Sequence, residues 1–191
     1  MTASPSISTW RRRAVAALAS GATLLAAGGT FITPKLLLWN ATASVPEGLY
    51  WIAHDRKPKV GELAVARLPG DTALLASQRH YLPLGVPLLK PVAASASQIV
   101  CRNINDVSVD GRVVARAADQ DHLGRPLPHW TGCVPLNGRR LLLLNAAVPT
   151  SFDGRYFGPT DAKDVIGRAI PLFTRAAAGL PYRWRLPPDF S

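Results

Sequence analysis

Residues 107–115 read Val107-Ser108-Val109-Asp110-Gly111-Arg112-Val113-Val114-Ala115. Apolar residues flank an Asp-Gly pair, the dipeptide that two-residue hairpin turns favour because both central positions need positive φ. The stretch therefore predicts two antiparallel strands, Val107 to Val109 and Arg112 to Ala115. Outward from it the pattern repeats as short apolar runs broken by turn residues. Further strands are expected at Gly48 to Ala53, Glu62 to Leu68, Leu88 to Val92, Gln98 to Arg102, Arg140 to Leu144 and Val165 to Pro171. One helix is expected, capped by Gly70 and Asp71 and running through Ala73, Leu74, Leu75 and Ala76 toward His80. Asp119 to Gly138, rich in Pro, Gly and His, reads as a long excursion or flap. The fold class is mainly β, with no internal repeat.

At 191 residues and 48% hydrophobic, the chain can build one ordinary globular domain, which excludes a multi-domain machine. Seventeen prolines and 15 glycines imply many turns, yet the apolar fraction is too high for a disordered chain. The formal net charge is +10, but four basic residues, Arg11, Arg12, Arg13 and Lys35, precede Leu36, leaving 18 basic against 12 acidic, or +6, beyond it. So mild an excess reads as a solvated surface, and nucleic acid is not expected as a partner.

The arginine triplet stands directly before an uncharged stretch from Ala14 to Ile32. As a helix at about 1.5 Å per residue it would span roughly 28 Å, close to a bilayer's hydrocarbon thickness. The positive-inside rule keeps the arginines cytoplasmic and exports the chain beyond the stretch. The protein divides accordingly into a cytoplasmic tail (1–13), a transmembrane signal anchor (14–38) with Trp39 at the far interface, and an exported, periplasmic β-rich domain (39–191). A cleaved secretory signal is the alternative, since Ala41-Thr42-Ala43 has the A-x-A form. The apolar stretch is too long and too far from that site for this to be preferred, and Pro46 sits just beyond it. The arginines are also a poor match to a twin-arginine signal.

Export would place Cys101 and Cys133, the only cysteines, in an oxidising compartment where they can join. Closing a loop of about 33 residues would stabilise the fold by roughly 3 to 4 kcal/mol in the chain-entropy model. His54, His80, His122 and His129 share no ligand spacing, so neither a metal nor a cofactor is expected.

Three segments bear on chemistry. In Asn40-Ala41-Thr42-Ala43-Ser44-Val45-Pro46-Glu47-Gly48-Leu49-Tyr50, Pro46 and Gly48 constrain the backbone around a serine and could hold its hydroxyl at the mouth of a cleft. Alone, the segment reads more plainly as a polar linker joining anchor to domain. Leu88-Leu89-Lys90-Pro91-Val92 carries a lone lysine in an apolar strand. At the ordinary lysine pKa of about 10.4, fewer than about one molecule in a thousand would hold a neutral amine at pH 7. Burial can lower that pKa by as much as roughly 3 to 5 units and make the amine a usable base. A strand-edge lysine that snorkels to solvent is the plainer reading. Ser151-Phe152-Asp153-Gly154-Arg155-Tyr156-Phe157-Gly158 pairs an acid and a base two residues apart, in a strand or a turn, with a structural ion pair as the default.

Together, Ser-x-Pro-x-Gly-x-Tyr after an anchor, an apolar-flanked lysine and Ser-x-Asp-x-Arg-Tyr-Phe-Gly resemble the type I signal peptidase family, which uses a Ser/Lys dyad. The Asn-x-Thr-x-Ser form is similar to its TraF-type branch, the conjugative-transfer peptidases that mature a pilin. The resemblance spans Ala14 to about Phe173 and implies the family's mainly β catalytic fold. It implies Ser44 as nucleophile, Lys90 as general base, and Thr42 with the Ser44 amide as oxyanion donors. It makes Ser151 the residue that orients the lysine, and Asp153 with Arg155 a supporting ion pair. The expected partners are a pre-pilin or other exported preprotein, the bacterial inner membrane, and other conjugation or type IV secretion components. The chain departs from a general signal peptidase in having Ser-Val-Pro for Ser-Met-x-Pro and Val148-Pro149-Thr150 in place of Gly-Asp-Asn. Both departures favour the TraF-type branch. The alternatives are a general leader peptidase and a non-catalytic, membrane-anchored scaffold of a secretion apparatus.

Overall fold

Asp110 and Gly111 both take positive φ, 49° and 82°, and turn the chain back on itself so that Val109 faces Arg112. The computed structural model describes residues 36–186, and in them the hairpin joins β6 (Asp106–Val109) to β7 (Arg112–Arg116). With β5 (Ile99–Asn103) and β8 (Gly132–Pro135) these strands form a four-stranded antiparallel sheet in the order β7-β6-β5-β8. β8 lies inside the stretch expected to be an excursion. Only Val134 in it favours a strand, and pairing to β5 supplies what its own sequence does not. Cys101 and Cys133 face each other across that pairing and form a disulfide.

A second sheet carries β1 (Leu37–Asn40), β2 (Glu47–Ala53), β3 (Leu63–Ala66), β4 (Leu88–Ala94), β9 (Arg140–Leu143), β10 (Thr160–Asp161), β11 (Val165–Arg175) and β12 (Arg183–Trp184). Its order is β1-β2-β11-β3-β4-β9-β10, with β12 added to β11. The fold is mainly β, as expected. Among the described residues two α-helices interrupt it: α1 (Gly70–Gln78), which enters from Pro69 without a side-chain cap, and α2 (Gly154–Phe157), capped by Asp153.

Leu37 and Leu38, expected at the end of an anchor, belong instead to β1, paired with Trp51 and Tyr50. Residues 14–35 of that segment, and the tail at 1–13, lie outside the described residues. Among the described residues no helix is long and apolar enough to cross a membrane. Tyr50 is wholly buried, whereas Leu37, Trp39, Trp51, Phe173 and Trp184 are exposed.

The core has three clusters. One packs Val45, Tyr50, Ile52, Leu63, Val65 and Leu89 under the first strands of the large sheet. A second gathers Leu88, Val92 and Leu143 with the small residues Ala64 and Ala66. The third joins the sheets through Val100, Val107, Leu136 and Leu142.

Gly48 shows how closely the strands approach. Its φ is +135°, and a Cβ placed there would lie 2.2 Å from the Phe173 carbonyl oxygen of β11. Gly48→Ala is expected to destabilise the domain by about 2 to 3 kcal/mol or more, read as a lowered denaturant midpoint.

Candidate active site

Asn40 ends β1 and Glu47 begins β2, so the intervening turn carries Thr42 and Ser44 out at the edge of the large sheet. Tyr50 fixes the base of this turn by donating its phenol hydrogen to the Pro46 carbonyl at 2.5 Å. Burial pushes the Tyr50 phenol well above its ordinary pKa, so it stays a donor. The Ser44 hydroxyl lies 3.2 Å from the Thr42 hydroxyl, and Thr42, rather than Lys90, is its hydrogen-bond partner.

Lys90 sits in β4 opposite Ala64 of β3, and every other side chain of these two strands is apolar. It is 3% exposed, which rejects the edge lysine that snorkels to solvent. Burial lowers its pKa to about 8. The nearby Asp153 carboxylate pulls in the opposite direction, and the Arg155 guanidinium lowers it further. At pH 7 roughly a tenth of molecules would hold this amine neutral, against fewer than one in a thousand for a lysine in water.

Thr42, Ser44, Lys90 and Ser151 all line one cleft of about 980 Å³. Leu82, Leu88, Phe152 and Tyr156 make much of the remaining wall apolar. The Ser151 hydroxyl is buried there with no hydrogen-bond partner among the described residues, so a donor or acceptor brought to it would be met. Also among the described residues, no group of three or more His, Cys, Asp and Glu could hold a metal ion.

Asp153 and Arg155 lie outside the cleft lining, buried behind it. The strand-or-turn ambiguity of this segment resolves as one helical turn, in which Asp153 caps the Arg155 amide and accepts its Nε at 2.8 Å. Arg155 also donates to the carbonyls of Asn145, Val148 and Pro149. Asp153 accepts the Asn145 amide at 3.1 Å, and the Asn145 side chain donates to the Ser44 carbonyl at 2.6 Å. The ion pair is thereby tied to the serine turn through Asn145, a residue that sequence reasoning missed. Nothing local marks it, because its partner lies 101 residues away.

The family profile for signal peptidase, peptidase S26, matches residues 9–173. Plasmid transfer protein TraF of Escherichia coli is 31% identical over 169 residues, which cover 83% of this chain and 93% of the relative. The probable conjugal transfer protein TraF of Sinorhizobium fredii is 36% identical over 148 residues, 72% of this chain and 77% of the relative. The conjugal transfer protein TraF of Agrobacterium tumefaciens is likewise 36% identical over 148 residues, 71% of this chain and 81% of the relative. The family expected from three short motifs is thus met by similarity over most of the chain, which belongs to the signal peptidase family, peptidase S26.

Proposed function

We propose that this protein is a membrane-anchored serine endopeptidase that matures an exported, pilin-like substrate in conjugative transfer, with Ser44 as nucleophile and Lys90 as general base. The observation that carries the reading is the burial of Lys90 in the same cleft as Ser44. An amine buried in a β-strand without an ion-pair partner costs stability, and a base close to neutral pH is what that cost supplies. The similarity to plasmid and conjugal transfer proteins supports the conjugative setting.

In the proposed mechanism neutral Lys90 takes the Ser44 proton, Ser44 Oγ attacks a peptide carbonyl, and the Ser44 amide with the Thr42 hydroxyl stabilises the oxyanion. The leaving amine takes a proton from the Lys90 ammonium, and an acyl-enzyme remains. Water then yields a linear product, whereas the substrate's own N-terminal amine yields a cyclic one. The two products differ by the mass of one water.

The tail at 1–13 lies in the cytoplasm, the uncharged stretch crosses the bacterial inner membrane once, and the catalytic domain faces the periplasm. The pairing of Leu37 with Trp51 and of Phe173 with Trp184 puts apolar side chains together on one exposed sheet face. Such a surface suits a bilayer interface beside the cleft.

A serine-directed acyl probe should label the wild type and leave Ser44→Ala unlabelled, which would exclude a scaffold without catalysis. Ser44→Ala and Lys90→Ala should abolish cleavage of an exported precursor while the unfolding transition persists; wild-type turnover in either would refute the dyad. Thr42→Ala should slow turnover on the order of a hundredfold. In a pH profile, kcat/KM should climb about tenfold per unit up to about pH 8 and level off above it, the limb expected of the Lys90 amine.

Burial of Lys90 has a second readout, independent of turnover. Below pH 8 both folded and unfolded chains hold the proton, and the fold carries the whole cost of a buried ammonium. As pH rises from about 8 toward the ordinary value of 10.5, the folded protein releases the proton first, so stability rises by about 3 kcal/mol. In denaturant titrations Lys90→Met should be the more stable protein at pH 7 and should lose this rise.

A further inference from the structure

The Asn40 side chain is buried at the end of β1, where Asn40 pairs with Gly48. Its carboxamide closes the turn into β2. Nδ2 donates to the carbonyls of Thr42 at 2.8 Å and of Val45 and Pro46, each at 3.1 Å. Oδ1 accepts from the Thr42 amide at 3.1 Å and from the Thr42 hydroxyl at 2.8 Å. Reversing the amide would set its NH2 group against an N–H and its oxygen against three carbonyls, so the five contacts fix its orientation.

An amide oxygen has no proton to give, which makes Thr42 the donor to Asn40. With its single proton committed there, Thr42 Oγ1 can only accept in its 3.2 Å contact with Ser44. The relay therefore has a direction, from Ser44 to Thr42 to Asn40. In this arrangement the Ser44 proton points at Thr42, and Thr42 has no proton to offer an oxyanion.

Resting on the reading of Ser44 as nucleophile, we infer that Asn40 is a positioning residue that parks the Thr42 hydroxyl proton on its own amide oxygen and releases it when negative charge forms beside Thr42. Once the Ser44 proton passes to Lys90, Thr42 loses its donor. Its hydroxyl then turns toward the oxyanion, because a hydrogen bond to an anion is roughly twice as strong as one to a neutral amide. The Thr42 proton stays on Thr42 throughout, and one hydrogen bond replaces another. Asn40 meanwhile holds the backbone through Nδ2, so only a hydroxyl moves.

The test has two arms on the full-length protein. Low-temperature proton NMR of the wild type should show a slowly exchanging Thr42 hydroxyl with a cross-peak to the Asn40 side chain, absent in Thr42→Val and retained in Ser44→Ala. A Thr42 hydroxyl exchanging freely with water would overturn the inference, and this arm needs no change at Asn40, so it decides even if Asn40→Ala does not fold. In the kinetic arm Asn40→Ala should lower kcat about tenfold or more with KM unchanged, and by clearly less in a Thr42→Val background, where only the loss of the Nδ2 bonds to the turn remains. Equal losses in both backgrounds would overturn it as well. Normal turnover by Ser44→Ala would sink the nucleophile reading alone, because the Thr42 resonance does not depend on it.

Discussion

The guanidinium of Arg155 is almost wholly buried, contacts Asp153 at 2.8 Å and directs its other N–H groups at the carbonyls of Asn145, Val148 and Pro149. These carbonyls belong to the turn-rich segment between β9 and α2, whose backbone leaves the large sheet after the Leu144 amide bonds to the Pro91 carbonyl of β4. Without Arg155 the Asn145 and Val148 carbonyls would keep only the turn bonds from the Val148 and Ser151 amides, and Asp153 would be a buried charge lacking a counter-ion. Removing one member of a buried pair commonly costs about 3 to 5 kcal/mol, more than most surface contacts can offset. Asn145 and, through the Asn145 side chain, the Ser44 carbonyl take their positions from this pair.

Lys90 draws on the same surroundings in the opposite sense. Asp153 with Arg155 is stable in a dry interior because the two charges nearly cancel and their hydrogen bonds are made. Lys90 lies close enough to sense both, yet neither bonds to it, so desolvation dominates. A carboxylate in direct contact would have returned the amine to its ordinary cationic state. Pairing Asp153 with Arg155 therefore keeps Lys90 from being held cationic by a salt bridge of its own.

Much of this was legible in the residues. The Asp110-Gly111 turn, seven of the strands around it and the long β11 follow from period-two patterns and turn chemistry, because those signals are local. Lys90 stood out because a charge within Leu-Leu-Lys-Pro-Val has few explanations. What stayed hidden depends on distant partners. β1 is apolar and comes directly after an apolar stretch, so nothing in its composition separates an exposed edge strand from the end of a membrane segment. β8 is a strand only because β5 lies beside it. Asn40 and Asn145 bond mainly to main-chain carbonyls, which every residue has, so no pairing of residue types points to them.

The strand that underlies the serine turn has one neighbour immediately before it in the chain and the other 112 or more residues later, since β2 pairs with β1 on one side and Val165–Arg175 on the other. Asn145, which holds the Ser44 carbonyl, is likewise late to be synthesised. Translation runs from the N-terminus, so Ser44 emerges long before the groups that organise its turn. A ribosome-bound chain has the serine without its surroundings, and the cleft is assembled only when the polypeptide is nearly complete.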